Sequence, residues 1–252
     1  MAACVFLGAW VAPAHADPIP AGDIRMDGLR SRFNVVGGGA VAGEFVVNAS
    51  RLNFTPIGLG SHGAASNQFI SFCVETTEWI QLNKWYDAEL NTRTENTHRD
   101  LQQETAYLYS QFVRGTLTGY TYFDSGAGDA AKVASARALQ ETIWYYQDPA
   151  GFAARYGSNA FGDGGYFRDS GAHKELARAW YAEVNAALDG NQWTGIGKVR
   201  IINIWENSLG RQDTLTMIPL PAPVWLGSVG LIGIVVGGLR RRQASKTATS
   251  TL

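Results

Sequence analysis

The chain is poor in the residues that would settle its chemistry quickly. It has two cysteines and four histidines in 252 residues, and a chain with so little cysteine has no internal disulfide framework. No Lys/Arg run of the kind that tracks a phosphate backbone interrupts the body, so nucleic acid is excluded as an expected partner. No His/Cys/Asp/Glu group has metal-ligand spacing, and no metal or other cofactor is expected. Gly37-Gly38-Gly39 lacks the spacing of a dinucleotide loop and runs into strand-like rather than helical sequence.

What is present begins with the two ends. The first residues are an apolar run closed by Ala14-His15-Ala16, the small-x-small shape of a signal-peptidase site, although no Lys or Arg precedes it. Cleavage there would remove Cys4 and leave Cys73 as the one thiol of an exported chain. At the other end, Pro219, Pro221 and Pro223 precede an apolar run from Val224 to Leu239, followed by Arg240, Arg241 and Arg242. The run is at the short end of what spans a bilayer, about 17 residues or more; counting from Ala222 brings it into range, with the arginines expected on the cytoplasmic side. The expected divisions are a signal peptide at 1–16, a body at 17–217, a Pro-rich motif with transmembrane helix and arginine cluster at 218–243, and a polar tail at 244–252. Removing both ends takes away no acid and the bases Arg240, Arg241, Arg242 and Lys246, which leaves the body mildly acidic.

The stretch Ile218-Pro219-Leu220-Pro221-Ala222, then the apolar run, then the arginines, resembles the C-terminal sorting signals of the PEP-CTERM class in its VPLPA-type variant, with Ile in place of the usual Val. The resemblance implies a Gram-negative, exopolysaccharide-producing bacterium, an exosortase-like enzyme that processes the tail, membrane contact through the C-terminal helix before processing, and a mature protein in the cell envelope, on the outer surface or in the extracellular matrix. A plain membrane anchor is the alternative.

The body reads as α+β. Residues 32–60 carry β-branched and aromatic runs broken by glycines, suggestive of hairpins. Residues 67–80 alternate, with Ile70, Phe72 and Val74 on one face and Phe69, Ser71, Cys73 and Glu75 on the other, placing Cys73 near a strand end. Helices follow. The first has Leu101, Thr105, Leu108 and Phe112 on one face and an N-cap arrangement at Asp100 and Gln103. The second, from Ala130, ends at Asp148 before Pro149. The third presents Leu176, Trp180, Val184 and Ala187. Strands return at 197–207 and 213–218. Strands at both ends around a helical middle predict a sheet or barrel-like portion shared by the N- and C-terminal strands.

Inside the second helix Gln140 shares a face with Ala136, Ile143 and Trp144. An amide there is either hydrogen-bonded in the core or no longer an ordinary amide. The Phe72-Cys73-Val74 stretch and the Leu139-Gln140-Glu141-Thr142-Ile143-Trp144 stretch together resemble the two motifs of bacterial surface thioester domains. The resemblance implies that the Cys73 sulfur is joined to the Gln140 side-chain carbonyl with loss of ammonia, and that Trp144 walls the bond. The protein would then act once, not as a turning-over enzyme, by passing the acyl group to an amine of a surface or matrix protein or to a polysaccharide hydroxyl. Closing the loop between positions 73 and 140 would also constrain the unfolded chain by about 4 kcal/mol, so a purely stabilising crosslink is a rival purpose. Two other classes stay open. A cysteine acyltransferase would need a histidine beside Cys73, and the body offers His62, His98 and His173. A noncovalent matrix protein would stack sugars on aromatics such as Trp79, Trp85, Tyr107 and Tyr109, with Trp85 expected in a surface loop.

Overall fold

A computed structural model describes residues 18–35, 41–123 and 125–219. The chain divides into two compact units, 1–218 and 219–252, of which the first carries nearly all the described residues. Four strands come first: β1 (Ile19–Asn34), β2 (Val41–Leu52), β3 (Gln68–Ser71) and β4 (Trp85–Asn91). Helices α1 (Gln103–Val113), α2 (Asp129–Gln147), α3 (Pro149–Tyr156) and α4 (Ala172–Asp189) follow, and β5 (Val199–Glu206) and β6 (Leu209–Met217) close the body. The strands form one antiparallel sheet in the order β3-β2-β1-β4-β5-β6. The β4–β5 ladder, Asp87 to Asn91 against Trp205 to Ile201, joins the N-terminal strands to the C-terminal pair.

Local chemistry explains the joints. Asn207 and Ser208 adopt φ of 51° and 64°, the left-handed pair that a tight two-residue hairpin between β5 and β6 requires. At Gly22, φ is +92° and a Cβ would sit 2.3 Å from the Arg51 carbonyl oxygen, so β1 approaches β2 there only because position 22 has no side chain. Helix α2 stops at Gln147 because Pro149 restricts the residue before it. Asp148 then turns the chain and caps α3, its side chain accepting from the Gly151 N–H.

Helix α2 is the centre of the body. Leu139, Gln140, Glu141, Thr142, Ile143 and Trp144 are all buried, which for six consecutive helical residues means that every side of the helix is covered. It packs against β1 and β2 as well as α1, α3 and α4.

Three expectations need correction. The sheet is open, not barrel-like: β3 and β6 are its two edges and form no ladder with each other. The Ser71 hydroxyl bonds to Thr214 and to the Leu215 backbone, but backbone pairing with β6 is confined to an isolated bridge just past β3, Cys73 to Thr214, because β3 ends as a strand at Ser71, too short to run along the nine residues of β6. Second, Asp100 does not cap α1. Gln102 holds the N-cap position without a side-chain cap, and its N–H donates instead to Oε1 of Gln147 from α2; the helix start is satisfied by a neighbouring helix.

Third, the expected membrane-spanning helix and the membrane contact through it are not supported. Among the described residues no helix is long and apolar enough to cross a membrane. The run Val224 to Leu239 is short for a span and carries Gly227, Gly230, Gly233, Gly237 and Gly238, each costing about 1 kcal/mol against alanine in a helix. That run, the motif residues Pro221 and Ala222, and Arg240, Arg241 and Arg242 lie outside the described residues, as does the 1–16 segment; Pro219 is an exposed residue just after β6. The PEP-CTERM reading of the tail has no support among the described residues.

Candidate functional site

The segment after β3 is held from two sides. On one side it meets β6: the Leu215 N–H donates to the Phe72 carbonyl at 3.2 Å, and the Val74 N–H donates to the Asp213 carbonyl at 3.1 Å. On the other side the backbone of Cys73 faces α2. Its N–H donates to Oε1 of Gln140 at 3.0 Å, and Nε2 of Gln140 donates to its carbonyl at 2.7 Å. The Gln140 side chain thus takes the place of a neighbouring strand's peptide group, offering one donor and one acceptor to one residue of an extended chain. An amide side chain carries both on one planar group at any pH.

The structure therefore brings Cys73 and Gln140 together across 67 residues of sequence. Gln140 is fully buried and Cys73 is 3 % exposed. The flanking residues Phe72, Val74, Leu139 and Ile143 are fully buried as well, and Phe72 meets Phe112 of α1 edge-on at 5.1 Å. The alternation read from the sequence does not separate core from solvent, because both faces of 72–75 are covered. Burial pushes the Cys73 thiol well above its usual value, with Glu75 adding to the effect, so the sulfur carries its proton at neutral pH.

Beyond Cys73 the chain is clamped. Asp148 Oδ2 accepts from both the N–H and the hydroxyl of Thr76, at 2.9 and 2.7 Å, while Oδ1 accepts from the Gly151 N–H at 3.0 Å. A Cβ at Gly151 would meet Thr76 Oγ1 at 1.9 Å, so the clamp closes on a residue without a side chain. Arg155 donates to the Thr76 carbonyl. On the β6 side Gln212 donates to the Glu75 carbonyl, and the Glu75 carboxyl, raised by burial, accepts from the Thr97 N–H. Asp213 is pushed up by burial and by Glu75, while three donors, the N–H groups of Glu95 and Ile204 and the amide of Asn203, pull it back.

A cavity of about 240 Å³ opens beside Cys73, lined also by Thr76, Trp79, Trp144, Arg155 and Gln212 and by apolar side chains. The Trp144 ring forms part of this wall, and its buried indole N–H has no acceptor among the described residues.

The sequence pointed to Cys73, Gln140 and Trp144 but missed Thr76, Asp148 and Gln212. Asp148 carried a usable signal, an Asp directly before a Pro at a helix start. Gln212 carried none, since it reaches the site through sheet pairing alone.

Among the described residues no histidine is hydrogen-bonded to Cys73. His62 Nε2 bonds to the Val113 carbonyl and its ring stacks on Tyr122. His173 is no solvated first-turn residue: its Nε2 lies 3.9 Å from Oε2 of the fully buried Glu141, and burial, with Arg137 and Lys174, lowers its pKa to about 4. Trp85 begins β4 instead of lying in a loop, with the guanidinium groups of Arg25 and Arg51 over its ring at 5.0 and 4.2 Å. Tyr109 is core, donating to the Ile70 carbonyl, and Tyr107 donates to Glu183.

The lowered pKa of His173 makes stability depend on pH. Above its unfolded value near 6.5 both states are neutral and the residue has no effect. Between 6.5 and about 4 the unfolded chain takes up a proton that the folded chain refuses, so stability falls as pH falls through that window. The melting temperature of the unaltered protein should therefore drop more steeply from pH 7 to pH 4 than that of a His173→Gln variant; parallel curves would rule the effect out.

No family model, curated protein or solved structure matches the chain.

Proposed function

We propose that this is an exported protein whose Cys73 and Gln140 form an internal thioester, used once to attach the protein covalently to an amine or hydroxyl of a partner surface. The observation that supports the reading is the two-point grip of the Cys73 backbone on the Gln140 amide. One side-chain torsion, χ1, swings the sulfur of the same residue about the Cα that carries both gripping groups. In the addition step sulfur bonds to Cδ of Gln140, and the Cys73 N–H already on Oε1 is placed to meet the negative charge that develops there. The thiol proton then leaves with the amide nitrogen as ammonia, which balances the step without a co-reactant. A target hydroxyl or amine later attacks Cδ, the C–S bond breaks, and the target's proton returns to the sulfur. Because burial makes the free thiolate unfavourable, sulfur leaves well only if it is protonated as it goes.

The same hydrogen bonds would also serve a Gln140 that stays an amide, so intact mass is the deciding measurement. Freshly purified, never-denatured protein should weigh one ammonia less than its sequence, and Cys73 should resist alkylation. Adding methylamine should restore the mass plus the rest of the amine, expose the thiol and place the label on Gln140. Full mass with no amine adduct would end the proposal and leave Gln140 as a satisfied core amide; ammonia loss without amine reactivity would leave only a stabilising crosslink.

A further inference from the structure

Whatever attacks the side-chain carbon of Gln140 has to reach a residue with no exposed surface, beside a Cys73 that is 3 % exposed. The cavity stops short of it: Cys73 and Trp144 line the cavity and Gln140 does not, although Trp144 stands one turn further along the same face of α2. Some part of the wall must therefore move.

The walls differ in how they are held. Leu29, Ala42 and Phe45 stand on β1 and β2, Trp144 on α2, Arg155 on α3 and Gln212 on β6, where ladders and helical bonds fix the backbone. Glu78, Trp79, Ile80 and Leu82 stand instead on the link between Thr76 and β4, which has no helix or strand. Both ends of that link are pinned. Thr76 is gripped by Asp148 and Arg155, while at the far end the Gln81 N–H donates to the Tyr86 hydroxyl at 3.0 Å and the Asn83 N–H donates to the Met26 carbonyl at 2.7 Å. Between the pins, Thr77, Glu78, Trp79 and Ile80 make no hydrogen bond to other described residues.

A stretch without hydrogen bonds between two fixed points opens at lower free energy than the ladders around it. Side-chain contacts alone hold it down. Ile80 packs partly against the core, and the Trp79 ring, 56 % exposed, lies under the Arg211 guanidinium at 5.2 Å. Arg211 is held in place on β6 by the Glu206 carboxylate. At so exposed a position the contact of cation and ring is weak enough to release.

We propose that residues 77–80 form a strap that gates Cys73 and Gln140. Latched by Trp79 on Arg211 it covers the site; released, it swings between Thr76 and Gln81 and widens the cavity as far as the Gln140 carbon. As a gate on acyl transfer the strap rests on the thioester reading above, whereas as a gate on Cys73 it stands without it.

Opening is read as the rate at which a small reagent modifies the native protein. Intact mass chooses the reagent: methylamine at Gln140 where ammonia has been lost, iodoacetamide at Cys73 where the protein is at full mass, so failure of the thioester reading leaves the gate measurable. Rates are taken in urea below the unfolding transition. A local opening exposes little surface, so the rate should depend only weakly on urea, whereas access through global unfolding carries the full slope of the equilibrium transition. Arg211→Gln and Trp79→Ala should each raise the rate about two- to fivefold, the factor that one exposed cation–π contact supplies. Arg51→Gln removes a like contact over Trp85 and should leave the rate unchanged. The strap would be overturned by a rate with the slope of global unfolding, by unchanged rates in both latch variants, or by an equal acceleration in Arg51→Gln. It would be overturned as well if none of these native proteins were modified while the urea-unfolded chain reacts fully.

Discussion

Gln140→Glu should purify at full sequence mass with an open thiol at position 73, and should be less stable than the unaltered protein at neutral pH. The substitution keeps volume and one acceptor oxygen but replaces the Nε2 donor, so the Cys73 carbonyl would face an oxygen where it now accepts a hydrogen bond at 2.7 Å. Leaving that buried carbonyl without a donor costs about 1–3 kcal/mol, more if the new carboxyl stays ionised. The fully buried position raises the carboxyl above its unfolded value of about 4.3. Below that value both states are protonated, and the acid group restores one donor and one acceptor to Cys73. As pH rises past it, the unfolded chain ionises first and stability falls. Thermal unfolding from pH 4 to pH 8 should therefore show a loss in the variant that the unaltered protein lacks. A variant as stable as the unaltered protein at pH 8 would show that the grip contributes nothing. Mass and stability report separately here. A Gln140 that never leaves the amide state would give the same stability profile for the variant, with no ammonia loss in the unaltered protein.

How much of this was legible in the sequence depended on the distance over which each signal acts. The α+β order could be read because strand alternation and helical periodicity are local, and the end of α2 could be read from Asp148-Pro149, while the short α3 that starts there was not expected. Gln140 stood out because an amide among Ala136, Ile143 and Trp144 conflicts with its own helix face. Closure of the sheet could not be read, since it depended on where pairing stops. β3 and β2 pair up to Ser71 and Phe45, and at Cys73 an amide from a helix substitutes for the next peptide. Nor was the cavity legible. Thr76, Trp144 and Gln212 come from three parts of the chain and meet only after β6 has crossed behind the segment that follows β3. His173 shows the opposite failure: a first-turn histidine reads as solvated until the packing of α4 against α2 places it beside Glu141.

The clamp at Thr76 should give the second large effect. Asp148→Ala removes at once the cap of α3 and the one carboxylate oxygen that accepts from both the N–H and the hydroxyl of the buried Thr76. Loss of a side-chain N-cap costs about 0.5–2 kcal/mol, and orphaned buried donors about 1–3 kcal/mol; because the groups share one carboxylate the terms overlap, and a total of about 2–5 kcal/mol is expected. Urea titration should show the midpoint falling at unchanged slope, the mark of lost stability without a change in the surface exposed. Asp148→Asn keeps one acceptor oxygen, so it should fall between the two. The effect should reach Cys73 because Thr76 is three residues along the same extended segment and the Arg155 contact to its carbonyl is made from α3. With the segment held only by β6 and Gln140, the Cys73 backbone is less firmly placed against the Gln140 amide. In the thioester reading, ammonia loss after refolding should then be slower in Asp148→Ala than in Asp148→Asn. A midpoint equal to that of the unaltered protein would show that the clamp is not holding the segment.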